Sequence, residues 1–114
     1  MVVRRDEMKR EERERRFDGE GIVRYVHLAD LSAEKNIRTL SEITLDPGCS
    51  IGSHKHDSET EYYTILSGTG VVNDDGKETA VSAGDLIITG NGASHGIKNT
   101  GSVPLVFHAV IVTY

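Results

Sequence analysis

Tryptophan is absent from this 114-residue chain, and phenylalanine and tyrosine together supply only six rings. Valine, isoleucine and leucine must therefore fill any core. A single cysteine, Cys49, excludes an internal disulfide and with it the stapled scaffold of a small secreted domain. Two prolines stand against twelve glycines, a balance that suits many tight turns between short elements. No apolar run approaches the roughly 18–20 residues of a membrane span. The charged N-terminus lacks the apolar segment of a signal peptide. A soluble, cytoplasmic protein without a membrane partner is the expectation.

Positive charge is scarce beyond the first turns of the sequence. Residues 1–16 hold 7 of the 13 basic residues with 5 acids, whereas residues 17–114 hold 6 basic and 13 acidic ones. So acidic a body is a poor match for nucleic acid, whose binding depends on neutralising phosphates, and none is expected as a partner. The run RRDEMKREERERR at 4–16 contains Asp6/Arg10, Glu11/Arg15 and Glu12/Arg16, acid-first i,i+4 pairs that favour a helix. A short solvated helix or a loose arm over residues 1–18 is expected, or else a tail that docks on a partner subunit. Residues 19–114 are expected to form the one folded domain, a size that suits a single core.

Within that domain, strand and turn signals alternate. Ile22–Leu28 is rich in β-branched and aromatic residues. Ile37–Asp46 places Ile43 and Leu45 on one face, with Leu40, Glu42 and Thr44 on the other. Asp46-Pro47-Gly48 then makes a turn. Further strands are expected near 50–56, 60–67, 70–73, 77–82, 85–89, 94–99 and 104–113. Ser67-Gly68, Asp75-Gly76, Ala83-Gly84, Asn91-Gly92 and Thr100-Gly101 fall between them. Asp75-Gly76 is the strongest hairpin signal, because such loops need a left-handed backbone. Short strands with no helix between them imply an all-β sandwich or barrel, a double-sheet jelly roll.

The chemistry concentrates in Gly48–Gly68, GCSIGSHKHDSETEYYTILSG. His54 and His56 are two apart, which on a strand sets both imidazoles on one face about 7 Å apart. Glu61 follows a polar turn and can return beside them in a hairpin. His95, in GNGASHGIKN, can complete the set from a distant strand that also carries Ile97 and Asn99 on that face. Imidazole nitrogens and one carboxylate suit a divalent first-row ion.

The spacing extends beyond these four residues. Gly48, five residues, His54-x-His56, four residues, Glu61, six residues, Gly68 matches the first signature of the cupin superfamily. Gly84, five residues, Gly90-Asn91-Gly92, two residues, His95, three residues, Asn99 matches the second, except that Gly90 stands where the family usually has Pro. Glycine does not fix a backbone angle as proline does, so a looser or differently bent turn is expected there. The chain thus resembles a small single-domain cupin. That resemblance implies a jelly-roll barrel, or double-stranded β-helix, with a metal held by His54, His56, Glu61 and His95, and a homodimer. It selects Glu61 over Glu59 as the acid, and Glu59 is expected to face solvent.

Tyr63 and Ile65 share a strand face with Glu61 and are candidate pocket residues, Tyr63 being equally readable as core packing. His108 is either a pocket residue or a hydrogen-bonded core histidine. Arg38 is either an anion contact or an exposed strand residue, and Cys49 a small buried side chain. Mn(II) or Fe(II) is the expected ion, with Zn(II), Ni(II) or Co(II) able to use the same ligands. Coordination positions left open would serve a small oxygenated chelating ligand. Two functions follow: an oxygenase, decarboxylase or isomerase, or a non-catalytic binding or sensing module. The resemblance argues against copying oxalate chemistry directly. The two-domain oxalate enzymes carry an arginine three positions before the first motif histidine, where this chain has Ile51.

Overall fold

The computed structural model describes residues 1–114. Ten strands fall in chain order: β1 (Lys9–Glu14), β2 (Ile22–His27), β3 (Ile37–Leu45), β4 (Ser50–Lys55), β5 (Glu59–Ser67), β6 (Thr69–Asp74), β7 (Lys77–Ser82), β8 (Leu86–Gly90), β9 (Ser94–Lys98) and β10 (Leu105–Thr113). They form two antiparallel sheets, ordered β1-β2-β3-β10-β5-β8 and β4-β9-β6-β7. This is the expected all-β jelly roll. No helix is long and apolar enough to cross a membrane.

Strand alternation decides what enters the core. In β10, Leu105, Phe107, Ala109 and Ile111 are buried, while Val106, His108 and Val110 lie on the opposite face and are partly exposed. Aliphatic side chains dominate the core, with Tyr63 and Phe107 as its two rings, 4.6 Å apart between centroids. Asn99 is buried beside them and is fully engaged: it donates to the carbonyls of Leu45 and Val103, both at 2.8 Å, and accepts from the Gly101 N–H. It thereby fastens the turn before β10 to the end of β3. Asp75-Gly76 makes the two-residue hairpin loop between β6 and β7, both residues at positive φ.

The charged N-terminal run is not a helix. Lys9–Glu14 pairs with β2 as an edge strand, from Lys9 opposite His27 to Glu14 opposite Ile22. Its i,i+4 pairs would each add only about 0.2–0.5 kcal/mol to a helix too short to nucleate alone. Pairing with β2 satisfies backbone groups instead, and the charged side chains protect the sheet edge from further pairing. Across that pair Glu11 accepts from the His27 ring and from Arg13.

Two bulges re-aim side chains toward one end of the barrel. In β3, Ile111 of β10 opposes Thr39 but Val112 opposes Ile37, so Arg38 is the extra residue. In β4, Ile51 opposes Ile97 and His54 opposes His95, so Gly52 and Ser53 together face Gly96. Simple alternation from buried Ile51 would send His54 outward. The bulge turns it inward.

The turn at Gly90 is tied down rather than loose. A Cβ on Gly90 would fall 2.3 Å from Thr60 Oγ1, so the missing side chain makes room for close packing. The Tyr114 hydroxyl occupies that corner, donating to Asn91 Oδ1 at 2.8 Å and lying 3.0 Å from Thr60 Oγ1. The Gly92 N–H donates to the His56 carbonyl, and the His56 N–H to the Ala93 carbonyl.

Urea unfolding of Phe107→Ala should show a loss of about 3–5 kcal/mol, the usual cost of emptying a fully buried ring site. A loss below about 1 kcal/mol would place that ring outside the stabilising core.

Candidate metal centre

Three histidines and one glutamate converge where the two sheets meet. β4 contributes His54 and the residue that follows its end is His56; β5 contributes Glu61 and β9 His95. One donor atom from each lies within 4.8 Å of all the others. Nε2 of His95 is 3.1 Å from Nε2 of both His54 and His56. Glu61 Oε1 is 2.9 Å from His95 Nε2, 3.0 Å from His56 Nε2 and 4.0 Å from His54 Nε2.

Each ring is held from behind through its other nitrogen. His54 Nδ1 is 2.8 Å from the Gly52 carbonyl, a group that can only accept, so Nδ1 carries the proton. His56 Nδ1 meets the Glu59 carboxylate and carries a proton likewise. His95 Nδ1 is 2.8 Å from Thr89 Oγ1. With the outward nitrogens engaged, all three Nε2 atoms turn inward upon a carboxylate. Such a cluster needs positive charge at its centre, supplied either by protons or by a metal ion that displaces them. The donor set, three nitrogens and one oxygen, fits a divalent first-row ion, and the outward bonds are the support that such ligands ordinarily receive.

The electrostatics agree. Burial opposes ionisation of Glu61, but hydrogen bonds from the three imidazoles outweigh it and hold the carboxyl far below the usual carboxylate range. Burial pushes His95 down, against the pull of Glu61. Burial also disfavours protonation of His56, yet its contacts with Glu61 and Glu59 prevail and raise it. Tyr63 is raised well above the usual phenol value, first by burial and then by the Glu61 charge. It remains a neutral phenol, and its ring stacks on His95 at 4.7 Å.

A cavity of about 120 Å³ opens onto the cluster. Its walls include Tyr63, Tyr25, Ile51 and Ile111, together with Arg16, Phe17 and Arg38. Of the pocket residues expected from sequence, Tyr63 is therefore on the wall. Ile65 is buried in the core but is not on this wall. His108 points to the outer face of the six-stranded sheet, away from the cluster, because it alternates with buried Phe107 and Ala109.

Glu59 does not face solvent. It is two residues from Glu61 on β5 and so projects from the same buried face. There it joins His56 to Arg38, whose Nε and Nη2 bind its two oxygens at 2.8 and 2.7 Å. Arg38 reaches it because of the β3 bulge. Alternation along 59–61 was the signal available for Glu59. Thr89, Arg16 and Phe17 carried none, since their roles depend on long-range packing.

Glu59→Gln should leave the fold intact and weaken divalent-metal affinity by roughly 10–100-fold, the usual effect of losing a partner behind a ligating histidine. Competition against a chromophoric chelator measures this. Unchanged affinity would mean that Glu59 does not support the His56 ring.

Residues 41–112 match the family model for the cupin domain. The chain is 43% identical to a Thermotoga maritima protein named oxalate-binding protein, over 98% of this chain and 93% of the relative. It superposes with a TM-score of 0.94 on the crystal structure of a predicted oxalate decarboxylase from Thermotoga maritima, at 42% identity and over the full length of both chains. A sugar phosphate isomerase of the cupin superfamily from Silicibacter pomeroyi shares the fold, with a TM-score of 0.79 and 18% identity, over all of this chain and 76% of that one. Barrel, motif spacing and family match agree, and the chain belongs to the cupin family.

Proposed function

We propose that this protein holds one divalent metal ion through His54, His56, Glu61 and His95 and uses it to bind a small chelating oxygen-donor acid of the oxalate type. The inward convergence of three pinned Nε2 atoms upon Glu61 carries this reading. Mn(II) or Fe(II) suits an N3O set that leaves positions for ligand oxygens, while Zn(II), Ni(II) and Co(II) compete for the same donors. The bound ion would act as a Lewis acid toward the ligand's oxygens.

Cavity size supports a small ligand. Its 120 Å³ compares with about 10–15 Å³ for the cavity space that admits one water and with about 300–1,000 Å³ for pockets that take drug-sized molecules. A two- to four-carbon acid fits this scale. The names of the Thermotoga relatives point to the same ligand class.

Binding without turnover is favoured over oxygenase, decarboxylase or isomerase chemistry by the nature of the cavity wall. Beyond the metal-binding candidates, its titratable side chains are two neutral phenols, Arg38 already paired with Glu59, Lys55 at 3.6 Å from Asp57, and Arg16. Ile51 presents only an apolar surface there. None of these is placed as a general acid or base. A homodimer is proposed as well, formed through the outer face of the six-stranded sheet. Val106 and Val110 are partly exposed on that face, and Leu86 and Ile88 are exposed on its edge strand.

Protein made without an affinity tag should contain, or take up, close to one equivalent of metal per chain by elemental analysis. His54→Ala and Glu61→Ala should each take up less than about a tenth of that. Metal-loaded protein should bind oxalate in calorimetry and leave it chemically unchanged. Consumption of oxalate that is lost in both variants would establish the enzymatic reading instead. Sedimentation should give twice the mass of the chain, and a monomer at tens of micromolar would remove the proposed interface.

A further inference from the structure

The segment between β1 and β2 does more than connect them. Arg16–Asp18 forms a short kinked turn laid against β4. The fit is close: a Cβ on Gly52 would fall 1.8 Å from the Phe17 carbonyl oxygen, and one on Gly19 would fall 2.3 Å from the Ser50 carbonyl oxygen. Two side-chain-free positions therefore allow this segment to sit directly on the strand that carries His54. The Phe17 ring stacks on the His54 ring with centroids 4.0 Å apart and planes 14° apart. The Arg16 guanidinium lies over that same Phe17 ring, 4.2 Å from its centroid, a favourable cation–π placement.

The backbone is held in a costly conformation to do this. Arg15, Phe17 and Asp18 all have positive φ, at 52°, 52° and 62°. Left-handed conformations are costly for bulky residues, and they concentrate at ligand clamps. Arg16 Nε is buried without a hydrogen-bond partner. Arg16 lines the cavity together with Tyr25 and Tyr63.

The charge balance of the cavity is then simple. Arg38 is neutralised by the two oxygens of Glu59, and Lys55 lies 3.6 Å from Asp57. Glu61 offsets one charge of a divalent ion. The ion's second charge and Arg16 are left without counter-charges in a cavity whose walls include Tyr25, Ile51, Tyr63 and Ile111, and unpaired charge beside such groups is costly. A ligand carrying two negative charges balances both.

We propose that Arg16 is the anion-recognition residue of this site, and that with the metal it selects a short dicarboxylate dianion over monoanionic chelators of the same shape. This rests on the metal-binding reading above. Arg16 is not a metal ligand and lies outside both cupin signatures. It is a specificity-determining side chain brought to the cavity by the link between β1 and β2.

The test is calorimetric titration of Mn(II)-loaded wild type, Arg16→Gln and Arg16→Lys with oxalate and with its isosteric monoanion, oxamate. Metal content is measured on each sample. Wild type should prefer oxalate. Arg16→Gln should keep its full metal content, lose roughly tenfold or more in oxalate affinity, as expected for a lost hydrogen bond to a charged group, and discriminate little between the two ligands. Arg16→Lys should retain part of the preference. Oxalate affinity within about twofold of wild type in Arg16→Gln, or equal losses for both ligands, would overturn the assignment. A wild type that takes up no metal would overturn the metal reading separately. Arg16 would then stand or fall on whether Arg16→Gln still weakens oxalate binding to the metal-free chain.

Discussion

Everything at the open end of this barrel depends on forcing like-natured groups together. Three imidazole nitrogens and a carboxylate oxygen are packed within 4.8 Å of one another in a place with little access to water. Such an arrangement is unfavourable unless something positive occupies it. The protein maintains it by controlling the far side of each ring: a backbone carbonyl behind His54, Glu59 behind His56 and Thr89 behind His95. The outer bonds leave the rings no other orientation. The inner edge is therefore preorganised for a cation, with the cost borne by the folding of the barrel.

The two bulges are the means by which a regular fold makes an irregular site. A sheet face offers positions at every second residue, which would leave His54 outside and Arg38 turned away. One added residue in β4 and one in β3 bring both to the cavity end. The bulge at Gly52 also opens the strand surface on which Phe17 rests. Ligand geometry and the seating of the N-terminal segment thus share one local irregularity.

Much of this was legible in the sequence, for identifiable reasons. The strands from β4 to β10 are short, apolar on alternate positions and separated by Gly-containing turns, so local pattern sufficed. The four converging residues were legible because their spacing repeats a known pair of signatures. The N-terminal strand was not, because its charges satisfy a helical spacing and only its long-range pairing with β2 decides otherwise. Glu59 was misjudged although strand alternation would have turned it inward with Glu61. Arg38 depends on a bulge, and no local feature of Ile37–Leu45 announces a register shift. Arg16 and Phe17 looked like the solvated end of a charge run. Their position depends on the absence of side chains at Gly19 and Gly52, each far from them or across a turn.

The seating of the 15–18 segment against β4 divides labour within a small protein. The four converging residues all lie between 54 and 95, whereas the lining of the cavity is completed by the link between β1 and β2. Barrels of this kind can therefore keep one inner cage unchanged while the link that lines the cavity beside it is rewritten. The most informative region for comparing what such proteins take in is the dozen residues ahead of the first core strand, where the two metal signatures are silent.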